Sequence, residues 1–103
     1  MVWCQTIKFE DVPEGDAVSV CVEGEPLALY KLDGRVHATH DICTKAHLAE
    51  GFVSGDCVEC PLHEGVFHIP TGRPVSGPVS IPIQVYPVRI EEGMVLVDVP
   101  PSG

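Results

Sequence analysis

Three turn signals, Glu23-Gly24, Asp33-Gly34 and Glu91-Glu92-Gly93, each separate two runs of strand-type residues. An Asp-Gly pair accepts positive φ at both central positions of a tight hairpin. A chain that reverses this often has no room for long helices, and apolar residues at helical spacing are nearly absent. Val18, Val20 and Val22 alternate with Ser19 and Cys21, which predicts a half-buried strand over 16–22. Strands over 26–32 and 35–39 follow across the next two turns, and a last hairpin pairs 81–90 with 94–99. Pro82 and Pro87 cannot donate ladder hydrogen bonds, so the arm over 81–90 is expected at an edge or a bulge. Short strands between regular turns predict an all-β fold, an antiparallel sandwich or small barrel. At 103 residues the chain is expected to be a single domain, 1–103, with one modest core.

The middle of the chain differs. From about residue 40 to 82 it holds three of the five Cys and four of the five His. Strands there are short, over 51–53, 56–59 and 65–69, with turns at Ser54-Gly55 and Thr71-Gly72. A loop-rich segment carrying metal-ligating side chains is where chemistry is expected. Five is an odd number of cysteines, unevenly spaced, which favours metal ligation or buried thiols over a disulfide framework. The sharpest local feature is Cys60-Pro61-Leu62-His63. A Cys and a His three apart, with Pro stiffening the turn, can serve one metal centre from one loop. Thiolate and neutral imidazole together suit zinc or an iron–sulfur cluster. Cys43 lies upstream, followed by Thr44, Lys45, Ala46 and His47. Two such loops offer two Cys and two His, the inventory of a [2Fe–2S] centre with thiolates on one iron and imidazoles on the other.

Charge excludes several partners. Six Lys and Arg stand against 15 Asp and Glu, a net charge of −9. Scattered cations this few cannot neutralise a run of phosphates, so neither nucleic acid nor an anionic membrane surface is expected as a partner. No basic stretch precedes an apolar run near the start, and no run approaches the ~20 apolar residues of a membrane span. A cytoplasmic location, where thiols stay reduced, is the expectation.

Read together, Ile42-Cys43-Thr44, Glu50-Gly51-Phe52-Val53, Val58-Glu59-Cys60-Pro61-Leu62-His63-Glu64-Gly65-Val66-Phe67 and Pro70-Thr71-Gly72 resemble a Rieske-type [2Fe–2S] ferredoxin. Pro13-Glu14-Gly15-Asp16, Leu27-Ala28-Leu29-Tyr30 and Val85-Tyr86-Pro87-Val88 extend the likeness over roughly 11–99. The resemblance implies a Rieske-like β-sandwich or small barrel with a loop-rich cluster-binding subdomain at about 40–82. It implies a Rieske-type [2Fe–2S] cofactor held by Cys43, His47, Cys60 and His63. It further implies a one-electron carrier, not an enzyme by itself, of the kind that serves bacterial ring-hydroxylating dioxygenases. Such a carrier takes electrons from a flavin-dependent NAD(P)H reductase and passes them to a terminal oxygenase, with docking that is transient and electrostatically assisted. Ser76-Gly77-Pro78, by itself a turn, stands where the family places a proline-containing loop over the cluster. Backbone N–H groups near Thr44, His47 and Glu64 would be donors to sulfur.

One position departs from the family. The pattern opens Cys-x-His, which calls for His at 45, and this chain has Lys45. An ammonium is cationic at neutral pH and repels a ferric centre. Either the loop has re-registered so that His47 ligates, or the site is incomplete; His40 and Cys57 are the other stand-ins. Two further functions stay open at this point. One is a zinc-stabilised binding module using Cys43, Cys57, Cys60 and either His47 or His63. The other is a cluster-less Rieske-fold subunit resembling the small subunit of some nitrite reductases. The remaining candidates have plain readings: Cys4 and Cys21 as small buried hydrophobes, Cys57, His37 and His68 as strand residues, His37 on the surface.

Overall fold

The computed structural model describes residues 2–41, 48–60, 65–76 and 82–99. Eleven strands run through them: β1 (Val2–Lys8), β2 (Ala17–Val22), β3 (Glu25–Leu32), β4 (Arg35–His40), β5 (Phe52–Ser54), β6 (Cys57–Glu59), β7 (Val66–His68), β8 (Pro74–Ser76), β9 (Val85–Tyr86), β10 (Val88–Glu91) and β11 (Met94–Val99). Phe9–Asp11 and Leu48–Glu50 form single 3-10 turns. Glu23-Gly24, Asp33-Gly34 and Glu92-Gly93 all have positive φ at both positions. That is the backbone of a two-residue hairpin loop whose twist matches the strands it joins. Each turn closes a ladder with the pairs Val22↔Glu25, Leu32↔Arg35 and Glu91↔Met94 at its mouth.

The strands make three antiparallel sheets, ordered β1-β11-β10, β2-β3-β4-β9 and β5-β6-β7-β8. β3 lies between two apolar clusters and explains their separation. Leu27 and Leu29 point into a cluster with Val22, Ala38, Tyr86, Val95, Val97 and Val99, between the first two sheets. Ala28, Tyr30 and Leu32 point the other way, into a cluster with Val58, Cys60, Phe67 and Ile69 of the third sheet. Period-two alternation with both faces covered accounts for the unbroken apolar run Leu27 to Tyr30. Burying each large aliphatic side chain stabilises the fold by roughly 1.5–3 kcal/mol, so β3 fastens the small third sheet to the body.

Several expectations need correction. The single arm expected over 81–90 is two strands in different sheets: β9 pairs with β4, and β10 pairs with β11. Pro87 is the switch point, having no N–H to give while its carbonyl accepts from the Asp98 N–H at 3.0 Å. β1 and β8 carry no turn signal strong enough to announce them. Cys21 is exposed, not a buried hydrophobe, because it shares the outward face of β2 with Ser19. Cys4 is half-buried against the first cluster. His37 stands on β4, a strand residue as expected, and is half-buried.

One glycine fixes the approach of two segments. Gly72 has φ +76°, its carbonyl accepts the Ile83 N–H at 2.9 Å, and a Cβ there would collide with the Ile83 carbonyl oxygen. Gly72→Ala is expected to cost about 2–4 kcal/mol, summing the left-handed backbone penalty and overpacking. In thermal unfolding this is a fall of roughly 10 °C or more; a fall below about 2 °C would show that the two segments separate freely.

Candidate metal centre

Asp41 is the last described residue before the segment bearing Cys43 and His47, and it is fully buried. Its N–H donates to the Pro26 carbonyl at 2.9 Å, and its Oδ2 accepts the Ser19 hydroxyl at 2.8 Å. Its Oδ1 accepts the N–H of Ala49 at 2.9 Å, the residue just past the segment. Asp41 thus joins the two ends of the stretch 42–48, its carboxylate reaching β2 and its N–H reaching β3. Above it, the Tyr30 hydroxyl lies 2.8 Å from Thr39 Oγ1, which donates to the His40 carbonyl at 3.1 Å. The threonine proton being committed there, the phenol donates. Burial chiefly, with the Asp41 charge adding to it, raises the Tyr30 pKa far above that of a free phenol, so this chain of donors is fixed at any neutral pH.

The second stretch, 61–64, is tied at its own base. Following the ladder Cys57↔His68, Val58↔Phe67, Glu59↔Val66, the Cys60 N–H donates to the Gly65 carbonyl at 2.7 Å. Cys60 is fully buried in the apolar cluster of the third sheet. Ala49, which follows the first stretch, and Ile83, which follows a third at 77–81, pack against that same cluster. Three segments expected to carry or cover the centre therefore leave the fold around one apolar base.

Of the four ligands expected from the sequence, the structure places Cys60. Cys43, His47 and His63 lie outside the described residues, as do Lys45, the donors near Thr44 and Glu64, and Gly77-Pro78. Among the described residues no three His, Cys, Asp or Glu side chains stand together as a metal site. Of the two stand-ins, Cys57 lies on the face away from Cys60 and His40 lies beside Glu25. Burial alternates along β6 and the residue after it, with Val58 and Cys60 inward and Cys57 and Glu59 on the opposite face, so Cys57 and Cys60 do not form a chelating pair and the zinc set loses a member. The His40 ring lies 3.5 Å from Glu25 Oε2. His68 is a strand residue opposite Cys57, its Nδ1 2.8 Å from Thr71 Oγ1.

The donor chemistry fits an iron–sulfur cluster at Cys60: a thiol rooted in an apolar base, its own N–H tied to the Gly65 carbonyl, is shielded from water and from thiol exchange. Sequence reading missed Asp41 and Tyr30. Asp41 stands directly before Ile42-Cys43, but its bonds reach residues 22 and 8 positions away, which no local pattern reveals.

His37 carries a pH dependence. Burial chiefly, and the positive charges of Arg35 and His68, lower its pKa below 6.5, with Asp56 opposing. Below pH 6.5 the unfolded chain takes up a proton that the folded protein resists, so stability falls as pH drops from 6.5 through the lowered value. A ring titration by NMR is expected to show a midpoint below 6.5, and His37→Gln to flatten the acid limb of the Tm profile. A midpoint at or above 6.5 contradicts this.

A protein-family model, the Rieske [2Fe-2S] domain, matches residues 2–87. The ferredoxin component of the naphthalene 1,2-dioxygenase system of Pseudomonas aeruginosa is 43% identical over 98 residues, covering 93% of this chain and 94% of that protein. Among solved structures, the Sphingomonas yanoikuyae B1 ferredoxin superposes with a TM-score of 0.90 at 39% identity, over 96% of this chain and all of its own. A complex of reduced oxygenase and oxidized ferredoxin in carbazole 1,9a-dioxygenase contains a chain matching at TM-score 0.87 and 38% identity, over 93% of this chain and 92% of that one. Small subunits of nitrite reductases share the fold at greater distance. Among the described residues no helix is long and apolar enough to cross a membrane.

Proposed function

The chain belongs to the Rieske [2Fe–2S] domain family, and from that premise we propose that Cys43, His47, Cys60 and His63 hold its cluster. The protein is an electron carrier, a ferredoxin component of the ring-hydroxylating dioxygenase type, and not itself an enzyme. The observation that carries this is the 43% identity extending over 94% of a dioxygenase ferredoxin component. Its cofactor is a Rieske-type [2Fe–2S] cluster, which when bound stores and releases one electron, at a potential raised because neutral imidazoles replace two anionic thiolates.

The chain's own residues build the seat. Asp41 holds both ends of the first ligand stretch, and Cys60 roots the second in the apolar cluster beneath it. The unit is 1–103, with its cluster-binding part at about 40–82. Its electron donor is a flavin-dependent NAD(P)H reductase and its acceptor a terminal oxygenase, both met in the cytoplasm. The carbazole system, in which a ferredoxin and its oxygenase form a complex, supports the acceptor. The net charge of −9 favours fast, salt-sensitive encounter with basic surfaces over tight binding.

The deciding measurement is an absorption spectrum with iron and sulfide analysis, followed by EPR of the reduced protein. Two irons and two sulfides per chain, visible charge-transfer bands and a low average g value are expected. A colourless, iron-free protein after anaerobic reconstitution would overturn the carrier reading and leave the cluster-less one. Asp41→Ala is expected to lower stability by about 1–3 kcal/mol, because the Ser19 hydroxyl and the half-buried Ala49 N–H lose a charged acceptor, and to release iron faster. Unchanged iron retention would show that the tie at Ala49 does not serve the centre.

A further inference from the structure

At Pro87 the chain leaves the second sheet for the first, and the departure opens a groove of about 750 Å³ between β4 and β10. Backbone parity shows what faces it. β9 pairs only with Ala38 and Thr39 of β4, and the His40 N–H donates to the Gln84 carbonyl. In an antiparallel ladder alternate residues turn their N–H and C=O to the same side. Val36 is next in the series His40, Ala38, and no described strand pairs with it there. On β10, the Asp98 N–H bonds the Pro87 carbonyl and the hairpin closes at Glu91↔Met94. Arg89 therefore faces β11, and Val88 and Ile90 turn their backbone groups to the free edge. Val36, Val88 and Ile90 all line the groove, so two open sheet edges border one space.

The groove's charged lining differs in sign from the molecule's net charge. Arg35 and Arg89, two of the six Lys and Arg of the chain, line it, and among the described residues no Asp or Glu does. Arg89 also stacks on Trp3 and pairs with Glu91, which holds its guanidinium in place; Arg35 has no carboxylate partner among the described residues. We infer that this groove binds an extended acidic peptide segment of a partner protein by strand addition, its backbone on the open edges and its carboxylates on Arg35 and Arg89. Ladder bonds supply affinity and the arginines select the sequence. The open stretch 34–37 accommodates about four residues, roughly 13 Å at the rise of a strand. It stands at the end of β4 remote from Asp41, roughly 17 Å along the strand from the residue leading into the ligand stretch. A partner held here would leave the cluster end accessible to a second protein.

Two peptides test this on the cluster-loaded protein, a capped Glu-Val-Glu-Val-Glu and its Lys-Val-Lys-Val-Lys counterpart. In the free protein the amides of Val36, Val88 and Ile90 are expected to exchange quickly, and slow exchange would mean the edges are already covered. The acidic peptide is expected to shift those three amides saturably, with Kd below roughly 1 mM, and to slow their exchange about tenfold or more. Arg35→Glu is expected to weaken binding at least about tenfold. Ile90→Pro, which removes an outward N–H without touching the β11 ladder, is expected to weaken it while leaving the remaining spectrum in place. No saturable shift, equal binding of the basic peptide, or displacement by free glutamate at equal concentration would each overturn the proposal.

Discussion

Cys60→Ser is expected to reduce bound iron about tenfold or more and to abolish the visible spectrum, while Cys57→Ser leaves both intact. The two cysteines are three residues apart in a Cys-x-x-Cys arrangement that, read as letters, offers a chelating dithiol. Along β6 and the residue that follows it, an odd separation places them on opposite faces. Val58 and Cys60 are fully buried in the cluster with Tyr30, Phe67 and Ile69, whereas Cys57 stands on the other face opposite His68. Serine at 60 is a poorer donor to iron than a soft thiolate, and it also brings a hydroxyl into an apolar site, at a cost of about 1–3 kcal/mol. Cys60→Ala separates these effects, since it leaves no unpaired polar group. It is expected to keep the circular dichroism and most of the Tm and still to bind no cluster. Full iron content in both Cys60 variants would remove Cys60 from the centre and take the ligand assignment with it.

The contrast between these cysteines shows which parts of the protein its sequence makes legible. The hairpins are readable because a two-residue loop with positive φ demands particular residues, and Asp33-Gly34 meets that demand locally. The alternation Val18, Val20, Val22 places Cys21 outward with Ser19 by parity, which outweighs the general burial of cysteine. The split at Pro87 was half visible: the missing donor announced an irregular arm, but which sheet each half joins depends on β4 and β11, far away in the chain. The motif around Cys60 announced a metal centre before any geometry. Asp41 stayed hidden because its role consists of bonds to Ser19 and Ala49, and nothing in the local pattern marks a buried carboxylate as a clip.

His47→Ala is expected to lower bound iron about tenfold or more and to erase the low average g value of the reduced protein. Lys45→Ala is expected to change neither. The tie between Asp41 and Ala49, a carboxylate-to-amide bond of 2.9 Å, fixes both ends of the stretch. Cys43 is two residues beyond one end and His47 two residues before the other. Lys45 lies midway between them, and its ammonium at neutral pH has no lone pair to offer and carries the wrong charge for a ferric ion. Re-registration onto His47 thus needs no change at either tied end. Iron content with the spectrum after each substitution separates the cases. Loss in the His47 variant alone supports the set Cys43, His47, Cys60 and His63. Loss in the Lys45 variant alone would transfer the ligand role to position 45, and a shift of the g values without iron loss would mean that His47 touches the centre without ligating it.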